Sequence, residues 1–137
     1  MNQMQGGLLK KRILAVDDTA ITLMRISDTL RDFYDVITVN SGVRALKYLE
    51  EERPDLILLD IQMAQKDGIE TLQEIRTMKD RADIPVIMLT GVEEKDIVLK
   101  SAKLGICDYI LKPFSSEDLL GRIRRVFEQV GQTDAES

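Results

Sequence analysis

Five side chains that could act together on a phosphoryl group stand at the ends of short apolar runs. They are three carboxylates, one hydroxyl and one ammonium: Asp17, Asp18, Asp60, Thr90 and Lys112. An ammonium and a hydroxyl can neutralise and hydrogen-bond phosphoryl oxygens. A carboxylate that attacks phosphorus becomes an aspartyl phosphate. Asp60 is the candidate nucleophile, because it ends the most apolar of these runs and should be held most firmly.

The three carboxylates need cations beside them if they share one site. Two carboxylates about 4 Å apart repel by about 4 kcal/mol at an effective dielectric constant near 20. Lys112 supplies one positive charge. The chain has no histidine and a single cysteine, Cys107, so a second cation should be one that prefers oxygen ligands. Mg²⁺ fits, because it binds through one or two carboxylates and completes its shell with water and phosphate.

Composition excludes several other classes of function. The absence of histidine rules out Ser-His-Asp and Cys-His catalysis, histidine-ligated metals and a phosphohistidine on this chain. The net charge of −5 gives no overall reason to bind nucleic acid or an anionic membrane. No apolar run approaches the roughly 20 residues of a membrane span. Without the apolar segment of a secretory signal, a cytoplasmic, reducing compartment is expected.

Short apolar runs alternate with helical patterns along the 137 residues, which is the length of one domain. The patterns predict strands at 12–17, 35–40, 54–60, 84–90 and 107–111. They predict helices at 19–32, 41–51, 67–79, 93–104 and 115–130. Residues 1–10 and 131–137 are expected to be flexible ends around a domain at 11–130. Met24 and Cys107 are expected to be buried.

Five strand–helix units with strands apolar on both faces predict a parallel sheet covered by helices on each side. The carboxyl ends of parallel strands share one edge, and ligands bind there in such sheets. The sequence therefore predicts that the five polar side chains converge in one cleft.

Four motifs resemble those of a known family, the receiver domains of two-component response regulators. They are ILAVDD at 13–18, LILLDIQM at 56–63 with Asp67-Gly68 following, PVIMLTG at 85–91 and DYILKPF at 108–114. The resemblance covers about 11–130. It implies a flavodoxin-like (βα)5 fold with strand order 2-1-3-4-5, an order for which a chemotaxis receiver is a standard example.

The resemblance also implies roles for individual residues. Asp60 would accept a phosphoryl group from the phosphohistidine of a sensor histidine kinase or a histidine phosphotransfer protein. Asp18, Asp60 and the backbone carbonyl of Gln62 would bind Mg²⁺ directly, and Asp17 would act through water. Thr90 and Lys112 would contact the phosphoryl oxygens. The peptide bond between Lys112 and Pro113 would be cis.

Phosphorylation is expected to act as a switch with no activity on external substrates. The resemblance implies that Thr90 moves toward the phosphoryl group and that Tyr109 swings inward. The face made by the fourth helix, fifth strand and fifth helix would then change for a downstream effector, and homodimerisation on phosphorylation stays open. The sequence departs from the family at Ala64, where proline is usual. Gln62 and Val92 occupy positions that resemble those that tune dephosphorylation.

Two alternatives remain at this stage. One is a Mg²⁺-dependent phosphohydrolase that forms an aspartyl phosphate on the way to hydrolysing external substrates. Such enzymes usually carry a second aspartate two residues after the nucleophile, but Gln62 stands two residues after Asp60 and Thr19 two after Asp17. The other alternative is that the chain is the regulatory portion of a longer transcription factor or enzyme.

Overall fold

The computed structural model describes residues 10–64, 66–91 and 95–136. The strands in this part of the chain are β1 (Arg12–Val16), β2 (Asp35–Val39), β3 (Leu56–Asp60), β4 (Val86–Thr90) and β5 (Asp108–Leu111). The helices are α1 (Ala20–Leu30), α2 (Gly42–Glu51), α3 (Gly68–Ile75), α4 (Lys95–Lys103) and α5 (Ser116–Glu136). Strands and helices alternate as the sequence predicts.

All strand pairs in the sheet are parallel, and the spatial order is β2-β1-β3-β4-β5. This confirms the predicted order 2-1-3-4-5. The residues that immediately precede Asp17 and Asp60 are paired across β1 and β3. Thr90 is paired with Leu111, the residue before Lys112. The register therefore brings the ends of these strands to the same level at one edge of the sheet.

Two apolar layers hold the sheet between the helices. Buried residues of α1 and α5 cover one face of the sheet: Ile26, Leu30, Leu119, Ile123 and Val126. Buried residues of α2 and α3 cover the opposite face: Ala45, Leu49, Leu72 and Ile75. Every residue of β3 is buried, so this strand is enclosed on both faces and Asp60 at its end has a rigid support.

Polar side chains fix the first turns of three helices. Ser41 accepts a hydrogen bond from a backbone N–H in the first turn of α2. Asp67 and Glu70 form a reciprocal capping box at the start of α3. The Ser115 hydroxyl accepts a hydrogen bond from the Asp118 N–H at 3.0 Å and so caps the start of α5.

The ends of two helices differ from the predictions. Helix α3 ends at Ile75 instead of residue 79, because the chain passes into short turns and then reaches Asp80, whose φ of 62° lies outside the helical region. Helix α5 continues to Glu136 instead of ending at residue 130. No proline interrupts 131–136, and these residues of the predicted tail at 131–137 continue the helix.

Two residues predicted to be buried are exposed. Met24 lies on the outer side of α1 and is 63% exposed. Cys107, immediately before β5, carries an exposed thiol. Both predictions were wrong, because residue type alone does not fix the side of a helix or the depth of a loop.

Arg76 joins three segments at the end of the sheet that lies opposite the carboxyl edge. Its guanidinium donates hydrogen bonds of 2.8–3.1 Å to four backbone carbonyls, those of Leu104, Ala82, Ile84 and Gly105. Burial lowers the pKa of this guanidinium. Replacing Arg76 with methionine leaves these carbonyls without their donor. We expect the free energy of unfolding, measured by urea denaturation, to fall by about 2–4 kcal/mol.

A matched control is Arg44→Met, since Arg44 is an exposed arginine on α2. We expect it to change the free energy of unfolding by less than about 0.5 kcal/mol. Equal effects of the two substitutions would show that Arg76 does not hold these segments together.

None of the helices in the described part of the chain combines the length and apolar character that crossing a membrane requires.

Candidate functional site

The polar residues predicted to converge do so at the carboxyl edge of the sheet. Asp17 follows β1 and is fully buried, and Asp60 ends β3 with 2% of its surface exposed. Thr90 ends β4 and is also buried. Lys112 follows β5 and is partly buried, and Asp18 is exposed beside Asp17. The cleft therefore has buried carboxylates at its floor and is open to solvent at its mouth.

One ammonium bridges the two buried carboxylates. Lys112 Nζ lies 2.6 Å from Asp17 Oδ2 and 3.3 Å from Asp60 Oδ2. These residues come from the ends of β5, β1 and β3. Lys112 and Asp17 are 95 residues apart in the chain. The parallel sheet is therefore what assembles the site.

Asp60 is harder to ionise than an ordinary aspartate. Burial, and after it the nearby charge of Asp17, raise the pKa of Asp60 to about 6. The ammonium of Lys112 and the N–H of Gln62 act in the opposite direction without cancelling these effects. Burial lowers the pKa of Lys112, but its ion pairs with Asp17 and Asp60 outweigh that, so the net shift is upward. One lysine does not fully compensate the carboxylates.

Three carboxylates stand close enough to share one cation. An oxygen from each of Asp17, Asp18 and Asp60 lies within 4.8 Å of the others. Carboxylate oxygens are the ligands that hard divalent cations prefer. Burial and the charge of Asp17 both disfavour the ionised form of Asp60 and raise its pKa, and a bound cation would offset both effects. The donor set therefore fits a hard divalent cation.

Backbone N–H groups orient the same carboxylates. Thr19 N–H donates to Asp17 Oδ1 at 2.9 Å, and Gln62 N–H donates to Asp60 Oδ1 at 3.2 Å. A third bond, of 3.1 Å, runs to Asp18 Oδ2 from the N–H of Ala64. The departure from the usual proline thus adds a donor, since proline has no backbone N–H. Sequence reasoning missed this contact.

Gly68 is a further residue that supports the site and that sequence reasoning missed. The sequence pattern places it only in the first turn of the predicted helix at 67–79. A Cβ at this position would lie 2.2 Å from the backbone oxygen of Asp60 and 2.7 Å from the Cα of Ile61. The N–H of Gly68 also donates to the Ile61 carbonyl at 2.8 Å. Helix α3 therefore packs directly against the backbone that carries Asp60, and only glycine allows this distance.

Replacing Gly68 with alanine should force this backbone apart. We expect the free energy of unfolding to fall by about 1–3 kcal/mol, the range for overpacking a tight interior. Chemical denaturation measures this effect directly.

Gly121→Ala is the matched control, because a Cβ at Gly121 in α5 meets nothing within 4 Å. Alanine favours a helix over glycine, so we expect this variant to be more stable by up to about 1 kcal/mol. If both variants shifted stability in the same direction, close packing at Gly68 would be ruled out.

The remaining predicted residues lie near this edge or outside the described residues. The peptide bond between Lys112 and Pro113 is cis. Tyr109 is partly buried and packs against the apolar layer on the α2 and α3 side of the sheet. Gln62 lies in the loop after β3, with its side-chain oxygen facing Gly91. Val92 lies outside the described residues.

Comparison with known proteins agrees with the fold. The family model of the response regulator receiver domain matches residues 13–124. The chain therefore belongs to this family. The phosphohydrolase alternative is not favoured.

Individual relatives give the same assignment. A probable transcriptional regulator ycf27 of Porphyridium aerugineum is 38% identical over 92% of this chain and 52% of its own length. PhoP of Bacillus subtilis, an alkaline phosphatase synthesis transcriptional regulatory protein, is 37% identical over 88% of this chain and 50% of its own length. The chain thus spans about half the length of these curated relatives. The solved structure of Vibrio cholerae chemotaxis protein CheY4 matches with a TM-score of 0.82 and 30% identity, over 85% of this chain and 98% of that chain.

Proposed function

We propose that Asp60 is the residue that accepts the phosphoryl group. The observation that carries this proposal is the bridging ammonium of Lys112, which holds Asp60 and Asp17 at neighbouring strand ends. Asp60 lies at the floor of an open cleft on the most enclosed strand of the sheet. With a pKa of about 6, its carboxylate is mostly ionised at pH 7, so a nucleophile is present.

The transfer step needs one bond formed and one broken. An ionised oxygen of Asp60 bonds to the phosphorus of a phosphohistidine on a partner protein. The phosphorus–nitrogen bond breaks, and the imidazole leaves with the bonding electron pair and takes up a proton. The ammonium of Lys112 and the hydroxyl of Thr90 contact the phosphoryl oxygens as their charge grows.

Asp17, Asp18, Asp60 and the backbone carbonyl of Gln62 are the groups that we propose to hold Mg²⁺. When bound, Mg²⁺ supplies positive charge that offsets both the carboxylates and the phosphoryl oxygens. The closeness of the three carboxylates supports this proposal. The three backbone N–H donors described above keep these carboxylates oriented before a cation binds.

We propose that the phosphoryl group acts on the rest of the domain through Thr90 and Tyr109. Thr90 ends β4, and Tyr109 lies on β5, the neighbouring strand. Movement of Thr90 toward the phosphoryl group leaves space for Tyr109 to turn inward, which changes the surface formed by α4, β5 and α5. This is a shift between two states driven by one local change of charge.

The proposed partners are proteins. A sensor histidine kinase or a histidine phosphotransfer protein would supply the phosphoryl group, and an effector protein or a further domain would read the changed surface. Two of the proteins named above, the probable transcriptional regulator ycf27 and the transcriptional regulatory protein PhoP, carry names that support an effector of that kind. Because the net charge is −5, we propose that this domain does not contact nucleic acid directly. The exposed thiol of Cys107 is in keeping with a cytoplasmic location.

Labelling with a small phosphodonor tests the proposed function. Incubation with acetyl phosphate and Mg²⁺ should add one phosphoryl group per chain, measured by intact-protein mass spectrometry. The addition should vanish in Asp60→Asn and when EDTA removes the metal. Asp32→Asn, at an exposed aspartate, is the matched control and should be labelled like the original chain. Undiminished labelling of Asp60→Asn would overturn the proposal.

A further inference from the structure

Arg25 on α1 holds the loop that carries Lys112. Its Nη2 donates a hydrogen bond of 3.2 Å to the backbone carbonyl of Phe114. Its guanidinium carbon also lies 5.5 Å from the centroid of the Phe114 ring, within range of a cation–π contact. Both contacts cross 89 positions of sequence to the same residue. Arg25 therefore contacts both the backbone and the side chain of Phe114.

Phe114 is the buried residue of the loop, and Lys112 lies only two residues before it. Phe114 is 7% exposed and is part of the apolar layer on the α1 and α5 side of the sheet. A recess of about 220 Å³ lies between α1 and this loop, lined by Thr22, Arg25, Lys112, Pro113 and Phe114. Arg25 is the residue of α1 that crosses from this lining to the loop, through its contacts with Phe114.

The loop is tied at its other end as well. Lys112 N–H donates to the Thr90 carbonyl at 2.7 Å, which fixes the start of the loop against β4. The hydroxyls of Thr29 and Ser116 lie 3.3 Å apart and join α1 to the first residue of α5. The position of Lys112 Nζ above Asp60 thus depends on a short segment held from both sides.

We propose that Arg25 is a positioning residue for phosphoryl transfer, acting through Lys112. The inference rests on the proposed function of Asp60 and deepens it. By fixing Phe114, Arg25 keeps the lysine ammonium where the phosphoryl oxygens develop charge. Arg25 itself touches neither Asp17 nor Asp60, so its contribution is the geometry of the loop. A misplacement of about 1 Å in such a group can cost up to about a hundredfold in rate.

The test is the initial rate of Asp60 phosphorylation by acetyl phosphate with Mg²⁺. In this reaction the Asp60 oxygen bonds to phosphorus, and acetate leaves with the electrons of the broken phosphorus–oxygen bond. We expect Arg25→Met to be about tenfold slower than the original chain. Arg25→Lys should recover part of this loss, because it keeps the charge but lacks the planar fork. Arg31→Met, an exposed arginine substituted at the end of the same helix, should react at the original rate.

The salt dependence of the rate distinguishes two possible roles of Arg25, positioning of Lys112 and attraction of the anionic phosphodonor. Arg25 is exposed and positively charged, so it could act by steering the donor into the cleft. Steering weakens at about 0.5 M salt, where charges are screened within a few ångströms. We expect the deficit of Arg25→Met to persist at that salt concentration. A deficit that disappears in salt, or a full recovery in Arg25→Lys, would overturn the proposal.

A double-mutant cycle tests whether the effect passes through Lys112. In a Lys112→Met background, Arg25→Met should change the residual rate by less than about twofold. A full tenfold loss there would overturn the proposal.

If circular dichroism shows Lys112→Met to be unfolded, amide hydrogen exchange in the single variant Arg25→Met decides instead. We expect faster exchange at the Lys112 N–H, and unchanged exchange would overturn the proposal. Failure of Asp60 labelling in the original chain would instead refute the proposed function.

Discussion

Replacing Lys112 with methionine is expected to lower the free energy of unfolding at pH 7 by about 3 kcal/mol or more. Removing one partner of a buried ion pair leaves the other charge uncompensated, which typically costs about 3–5 kcal/mol. Asp17 is fully buried and has Lys112 as its partner at 2.6 Å, so it should carry most of this cost. Urea denaturation at constant metal concentration measures the effect.

Two further variants show whether uncompensated charge is the cause. Adding Asp17→Asn to Lys112→Met removes the stranded charge, and we expect the double variant to recover at least half of the lost stability. Lys103→Met, at an exposed lysine of α4, should change the free energy of unfolding by less than about 0.5 kcal/mol. A double variant less stable than Lys112→Met alone would contradict this explanation.

Replacing Asp60 with asparagine is expected to stabilise the metal-free chain at neutral pH by about 3 kcal/mol. The pKa of Asp60 is about 6, against an ordinary value of 3.8. This rise of about 2 pKa units corresponds to about 3 kcal/mol, at 1.36 kcal/mol for each unit. The side chain is almost fully buried, so solvent does not screen this effect away.

The pH dependence gives the sign of the Asp60 effect. Between pH 3.8 and about 6 the folded chain holds a proton on Asp60 that the unfolded chain has released. The stability that protonated Asp60 contributes is therefore fully present below pH 3.8 and is lost as the pH rises through about 6. The original chain and Asp60→Asn should have similar stabilities near pH 3.5 and should diverge up to pH 7.

Denaturation at a series of pH values, with EDTA present, measures this divergence. Asp32→Asn is the control, and its difference from the original chain should stay below about 0.5 kcal/mol throughout. A constant difference between Asp60→Asn and the original chain at every pH would contradict the raised pKa.

The general plan of the fold and the site could be predicted from the sequence because both follow from local patterns. Apolar runs that end in Asp17, Asp60 and Thr90 mark the strands, and parallel strands bring their ends together. The site needs no information beyond which residues end which strands. Lys112 follows β5 in the same way, and it lies at the expected edge of the sheet.

What the sequence did not indicate depends on contacts between distant segments. Arg25 meets Phe114 across 89 positions, and Gly68 fits against the backbone of Asp60 because of how α3 approaches the sheet. No periodicity encodes either approach. Arg76 could equally have been an exposed arginine, whereas the fold surrounds it with backbone carbonyls.

The most direct test of this account locates the phosphoryl group in the chain. After incubation with acetyl phosphate and Mg²⁺, borohydride reduces an acyl phosphate to an alcohol, and peptide mapping by mass spectrometry identifies the reduced residue. We expect reduction at Asp60 alone, with Asp17 and Asp18 unchanged. Reduction at either of those two residues, or at none of the three, would contradict it.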